Sequence, residues 1–78
     1  MAPVSEPSAI EFGNRVRALR QQRRLSQERL GELVGISTNY MSSVELGQRN
    51  VGLLTVLKLG HALGVEPASL IEGLPRPE

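Results

Sequence analysis

Apolar and polar positions along this chain follow the period of an α-helix in short segments, each closed by glycine, serine or proline. Ser8 and Glu11 have the spacing of a capping box, which predicts a first helix from about residue 9 to residue 23. The apolar face of this helix is formed by Phe12, Val16 and Leu19. Because no segment shows the Val-, Ile- or Thr-rich alternation of a β-strand, the sequence predicts an all-α fold.

Three further helices are predicted in the middle of the chain, and local signals delimit each of them. Ser26 and Ser37 are suited to cap helix N-termini, and Gly35 is suited to the left-handed conformation that ends a helix. The apolar faces of these helices consist of Leu30, Leu33 and Val34, then Tyr40, Met41 and Val44, then Leu53, Leu54, Val56, Leu57, Leu59, Ala62 and Leu63. Pro67 predicts a fifth, short helix that runs to Ile71.

The 78 residues allow one small domain. Residues 1–7 contain two prolines and no periodic pattern, so we expect a disordered lead-in there. Residues 8–73 are expected to form the domain, and residues 74–78 a short tail. No internal repeat divides the sequence further.

Composition excludes several classes of protein. The chain contains no cysteine and no aspartate, and His61 is its only histidine. Disulfides and cysteine or histidine metal clusters are therefore excluded, and we expect neither an enzyme nor a cofactor nor a small-molecule ligand. No apolar run approaches the length of about 20 residues that spans a membrane. The first residues also lack the basic and apolar segments of a signal peptide, which indicates a cytoplasmic protein.

The most informative segment is residues 27–46, where two short helices are joined by a turn of three residues. So tight a turn makes the two helices cross steeply. Gly31 lies inside the first of them, where glycine costs about 1 kcal/mol relative to alanine. A close approach of the following helix would explain a residue without a side chain at this position. Both helices would then share one core, comprising Leu30, Val34, Ile36, Met41 and Val44.

A set of linked motifs extends this pattern along the chain. The motifs are Leu25-Ser26-Gln27-Glu28, Gly31, Gly35, Tyr40-Met41-Ser42, Val44-Glu45-Leu46-Gly47, Arg49-Asn50 and Ala62-Leu63-Gly64-Val65. On these residues, positions 12–71 resemble the Xre, or Cro/C1-type, helix-turn-helix family of phage repressors and small bacterial regulators. The run Gln48-Arg49-Asn50-Val51 is similar to that of restriction–modification controller proteins within this family.

The resemblance implies a compact five-helix, repressor-like domain that regulates transcription. Such a domain would bind palindromic operators in double-stranded DNA as a homodimer, with the third helix (about 37–46) in the major groove. Thr38, Asn39 and Ser43 point away from the apolar face of that helix, so they are the candidates for base contacts. Asn39 can make a bidentate contact to adenine. The alternative is that all three residues are solvated helix surface.

Phosphate contacts should flank the third helix, because they position a protein on DNA without reading its sequence. Gln27 begins the second helix, whose free N–H groups favour anions, and the resemblance implies that it contacts phosphate and braces the third helix. The remaining candidates are Ser37, Tyr40, Ser42, Gln48, Arg49 and Asn50. Two alternatives stay open: Gln27 could be only a helix residue, and Tyr40 could belong partly to the core. Family members often carry a cation in place of Gln48, which leaves Arg49 as the only cation of its loop.

The resemblance also implies an ion pair between Arg20 and Glu45, which would join the first helix to the end of the third. Such a pair specifies the fold, because removal of one partner leaves the other charge without compensation. The alternative is two unrelated surface charges.

The fourth helix is apolar over more than one face, and further apolar residues follow near the end of the chain. One small module buries only about 600–1,000 Å² on DNA, and two-fold dimers read two half-sites about one helical turn apart. We therefore expect a homodimer through the fourth and fifth helices, centred on Leu54, Leu70 and Ile71. The alternative places the fourth helix in the core of the monomer.

The net charge of +1 conceals an uneven distribution. Between residues 13 and 30 six arginines stand against one glutamate, a balance of +5, whereas from residue 31 onward three cations stand against five glutamates, a balance of −2. Segregated charge of this kind orients a protein on DNA, although Arg20 is expected to be committed to Glu45.

Two competing interpretations remain. The first is an antitoxin or adaptor that acts mainly through protein–protein contacts, for which a long tail would be typical. The second is a structural helical bundle, which leaves the polar face of the third helix unexplained.

Overall fold

The computed structural model describes residues 6–77 and contains five α-helices in that range. They are α1 (Pro7–Gln22), α2 (Gln27–Val34), α3 (Thr38–Glu45), α4 (Leu53–Leu63) and α5 (Ala68–Ile71). No strand occurs within the described residues, so the predicted all-α, five-helix fold is confirmed. None of the described helices is both long and apolar enough to cross a membrane.

The start of α1 is set by Pro7 and not by Ser8. Glu6 precedes the helix in an extended conformation, and Pro7 occupies the first helical position. Proline favours this arrangement because it restricts the preceding residue to extended conformations, and because its missing N–H would have no partner in the first turn. The capping box predicted for Ser8 and Glu11 is therefore wrong. The expected lead-in ends before Pro7, and its residues 1–5 lie outside the described range.

The caps predicted around the central turn are confirmed. Ser26 Oγ and Ser37 Oγ each accept the backbone N–H three residues later, at 2.9 Å and 3.0 Å. Gly35 ends α2 in the left-handed conformation, with a φ of 85°. Only residues 35–37 separate α2 from α3, which is the tight connection that the sequence predicted.

One core joins all five helices. Its buried apolar side chains are Phe12, Val16, Leu30, Val34, Met41, Val44, Leu59, Leu63 and Leu70. The core shared by α2 and α3 is thus present, and Ile36 of the turn packs against it. Four leucines of the predicted apolar faces are exposed instead: Leu33, Leu53, Leu54 and Leu57. Each helix therefore buries one face, and the additional leucines of α4 lie at the surface.

Two glycines allow backbone segments to approach each other closely. A Cβ atom at Gly31 would lie 2.6 Å from the carbonyl oxygen of Ile36, in the turn. A Cβ atom at Gly13 would lie 2.7 Å from the carbonyl oxygen of Glu45 and closer still to that of Val44. Gly31 therefore makes room for the turn, rather than for the following helix as predicted. Gly13, which sequence reasoning missed, lets α1 pack directly against the end of α3.

Candidate nucleic-acid interface

α3 presents a polar face to solvent, opposite the face that Met41 and Val44 bury in the core. Thr38 and Asn39, in its first turn, are exposed, and Ser43 is half-buried. The Ser43 hydroxyl donates to the carbonyl oxygen of Asn39 at 3.1 Å. In this arrangement the lone pairs of the Ser43 hydroxyl remain available to accept a hydrogen bond from an approaching base. The three residues predicted to contact bases thus share one helix face.

A buried carboxylate joins this helix to the rest of the domain. Glu45 is only 5% exposed, and Arg20 binds it in a bidentate manner, with Nε 2.7 Å from Oε2 and Nη2 3.1 Å from Oε1. Arg20 Nη1 also donates to the carbonyl oxygen of Leu25 at 2.8 Å. Gln27 Nε2 donates to Glu45 Oε1 at 3.1 Å. The predicted ion pair is therefore present, and it lies at the centre of a network that fixes the end of α3 to α1 and α2.

Two of the residues predicted to contact phosphate also have structural hydrogen bonds that leave donors available. Gln27 gives one amide proton to Glu45 and keeps the second. Ser37 Oγ accepts the N–H of Tyr40, so its own hydroxyl proton is not used by the cap. Gln27 can therefore brace α3, and Ser37 can cap it, while each still donates a hydrogen bond to a phosphate.

The other side of α3 is flanked by the loop that leads to α4. Gln48, Arg49 and Asn50 are exposed in this loop, and Ser42 is half-buried on the helix. Tyr40 is half-buried and packs against the core, so it belongs to the core in part. The guanidinium carbon of Arg49 lies 5.2 Å from the centre of the Tyr40 ring. This contact connects the loop to α3.

The basic segment between residues 13 and 30 is less available to a ligand than its charge balance predicted. Arg15 Nη1 donates at 2.6 Å to the carbonyl oxygen of Glu72, and Arg23 Nε donates at 2.8 Å to that of Leu63. These carbonyls end α5 and α4, where acceptors lack helical partners and partial negative charge accumulates. Together with Arg20, three of the six arginines thus bind carbonyl or buried carboxylate groups of the chain, and Arg29 forms a surface pair with Glu32 at 3.5 Å. The other three arginines, all exposed, are Arg17, Arg24 and Arg29.

The residues predicted to form a dimer interface differ in exposure. Leu54 and Ile71 are 69% and 50% exposed, whereas Leu70 is fully buried in the core. Consecutive helical residues point about 100° apart, so the short helix α5 directs Leu70 inward and leaves Ile71 outside. The assignment of Leu70 to an interface is therefore wrong. The exposed large apolar side chains of α4 and α5, called here the apolar patch, are Leu53, Leu54, Leu57 and Ile71.

The five-helix fold, with α2 and α3 joined by a turn of three residues, defines a class of protein. The model of the helix-turn-helix domain family matches residues 11–72, and this chain belongs to that family. The control protein C.MunI of Mycoplasma sp is 34% identical over 68 residues, which cover 86% of this chain and 92% of that protein.

Solved structures agree with this assignment. The restriction–modification controller protein C.AhdI from Aeromonas hydrophila is 48% identical, with a TM-score of 0.77 over 80% of this chain and 94% of that chain. The P22 c2 repressor, solved in complex with a synthetic operator, is 32% identical, with a TM-score of 0.75 over 80% and 94% of the two chains. The predicted resemblance to repressor-like regulators, controller proteins among them, is confirmed.

Proposed function

We propose that this chain is a sequence-specific transcriptional regulator that binds palindromic operators in double-stranded DNA. The observation that supports this most strongly is the form of α3, whose apolar face lies in the core while its first turn exposes Thr38 and Asn39. The fold is shared with the P22 c2 repressor, whose structure contains an operator.

The dimensions and side chains of α3 suit the major groove. A helix with its side chains is about 10–12 Å across, and the groove is about 12 Å wide. Asn39 offers an amide donor and acceptor that match the N7 and N6 edge of adenine. The lone pairs of the Ser43 hydroxyl can accept a hydrogen bond from the amino group of adenine or cytosine. Thr38 can place its methyl group against that of thymine.

Phosphate contacts on both sides of the groove would hold α3 in this position. Gln27 and Ser37 lie at the N-termini of α2 and α3, where unpaired N–H groups also favour anions. Gln48, Arg49 and Asn50 lie in the loop beyond the other end of α3, with Tyr40 and Ser42 on the helix itself. Contacts of this kind orient the module without reading sequence.

The regulator acts as a homodimer in this proposal, with the apolar patch as its interface. The patch places four large apolar side chains at the surface of two helices that pack against each other. Burial of such side chains against a second copy removes apolar surface from water, at about 25 cal/mol per Å². A two-fold dimer would present two copies of α3 to successive major grooves, which is what a palindrome requires.

Replacement of Asn39 by alanine is expected to lower discrimination at one base pair of each half-site. Loss of a bidentate contact to adenine removes about 1–3 kcal/mol of discrimination. The binding site is first selected from a randomised duplex pool. Fluorescence anisotropy then measures the affinity of the protein for this site and for duplexes that carry each single base change.

The matched control is Asn14→Ala, the same substitution at an exposed position of α1, which should keep both affinity and base preference. An Asn39→Ala variant with the base preference of the unchanged protein would contradict the role of α3 in base recognition. Because Asn39 is exposed and alanine favours helices, circular dichroism should show both variants fully folded.

A further inference from the structure

Arg49 and Tyr40 form a contact to which the sequence pattern assigns no role. The guanidinium carbon lies 5.2 Å from the ring centre, within the range of a cation–π interaction. The ion pairs among residues 6–77 engage Arg15, Arg20 and Arg29, not Arg49. Among the described residues, the Tyr40 ring is therefore the partner that the structure gives this cation.

The two partners differ in how firmly the fold holds them. Tyr40 stands in the first turn of α3, its N–H is bound by the cap at Ser37, and its side chain packs against the core. Arg49 lies in the exposed, non-helical loop between α3 and α4. A flexible side chain on a loop is therefore held against an aromatic ring on a fixed helix.

We propose that Tyr40 is a positioning residue whose ring holds the Arg49 guanidinium for donation to a DNA phosphate. This inference rests on the proposed function and assigns different roles to the two residues: Tyr40 positions the guanidinium, and Arg49 contacts the phosphate. A guanidinium that lies over an aromatic ring still has several N–H groups free for other acceptors, and a phosphate can accept two of them. A lysine ammonium has neither the flat face nor the paired donors.

This role differs from the hydroxyl contact that Tyr40 could itself make to the DNA backbone. A role through the hydroxyl predicts that Tyr40→Phe weakens DNA binding as much as Tyr40→Leu. A role through the ring predicts that Tyr40→Phe binds more tightly than Tyr40→Leu, since phenylalanine keeps the aromatic face. It also predicts that the effect of removing the ring depends on the presence of Arg49.

A double-mutant cycle between Tyr40→Leu and Arg49→Gln separates these roles. Dissociation constants for the selected duplex are measured by anisotropy for both single variants and the double variant. We expect Tyr40→Leu to weaken binding about two- to fivefold more with Arg49 present than with Arg49→Gln. Arg49→Gln itself should reduce the slope of log K against log salt by about 1. A parallel cycle with Arg24→Gln, an exposed arginine between α1 and α2, should show no coupling.

A measurement without DNA tests the contact between Arg49 and the Tyr40 ring independently. In the NMR spectrum of the free protein, the Arg49 side-chain protons should be shifted upfield by the ring current, retain the shift in Tyr40→Phe, and lose it in Tyr40→Leu. Circular dichroism is used to choose a measurement temperature at which every variant is folded. Equal effects of Tyr40→Leu with and without Arg49, or equal weakening by Tyr40→Phe and Tyr40→Leu, would overturn the inference while leaving the proposed function intact. Failure of the unchanged protein to bind any duplex would overturn both.

Discussion

Replacement of Arg20 by alanine is expected to lower the free energy of unfolding by about 3–5 kcal/mol, the usual effect of breaking a buried ion pair. The Glu45 side chain is 3% exposed and would keep only its hydrogen bond from Gln27. A domain of this length has a total stability of about 4–12 kcal/mol. The loss should therefore be visible as a large fall in the urea midpoint, followed by circular dichroism.

The control for this experiment is Arg29→Ala. Arg29 pairs with Glu32 at 3.5 Å, but the two side chains are 59% and 60% exposed, and such surface pairs contribute about 0–1 kcal/mol. Replacement of both network partners by apolar residues, Arg20→Met with Glu45→Leu, should leave a protein more stable than Arg20→Ala alone. An Arg20→Ala variant as stable as the unchanged protein would contradict the structural role of the network.

Replacement of Leu54 by glutamate is expected to separate the proposed dimer. The side chain is exposed in the monomer, so a charge there leaves the fold intact, whereas two carboxylates facing each other in a two-fold interface would oppose association. In a dimer, binding of one module to its half-site holds the second module at a high local concentration near the other half-site. Loss of the dimer removes this advantage, so the affinity for the full site should fall by about 10²–10⁴. Sedimentation at micromolar concentration should give the monomer mass.

Leu33→Glu is the matched control for this prediction. Leu33 is 48% exposed and lies on α2, not among the four residues of the patch, so this variant should sediment as the unchanged protein does. If the unchanged protein itself sediments as a monomer at this concentration, or if Leu54→Glu has the mass of the dimer, the proposed interface is wrong.

Features that depend on residues a few positions apart could be predicted from the sequence. Ser26 and Ser37 cap helices by accepting an N–H three residues later, and Gly35 ends α2 in a conformation that glycine favours. The start of α1 was mispredicted because two local signals compete there. Pro7 favours a start one residue before Ser8, and proline sets the boundary.

Features that depend on the arrangement of distant elements could not be predicted in this way. Arg15 and Arg23 are bound by carbonyls at the ends of α5 and α4, at least 40 residues away in sequence. A charge balance of the sequence treats both arginines as available to bind DNA, because it contains no information on where the helix ends lie. Leu70 and Ile71 are both large apolar residues. The four residues of α5 are too few for a hydrophobic periodicity that would show which of the two faces the core. The cation–π contact between Arg49 and Tyr40 likewise depends on the path of the loop after α3.

The central claim is that this chain binds one DNA sequence in preference to others through α3. The most direct test compares the affinity of the protein for the selected palindrome with its affinity for a shuffled duplex of the same length and composition, across a range of salt concentrations. We expect the palindrome to be bound about 10³-fold or more tightly at physiological salt, and binding to both duplexes to weaken steeply as salt rises. Equal affinity for the two duplexes at every salt concentration, or no binding to either at low salt, would contradict the claim.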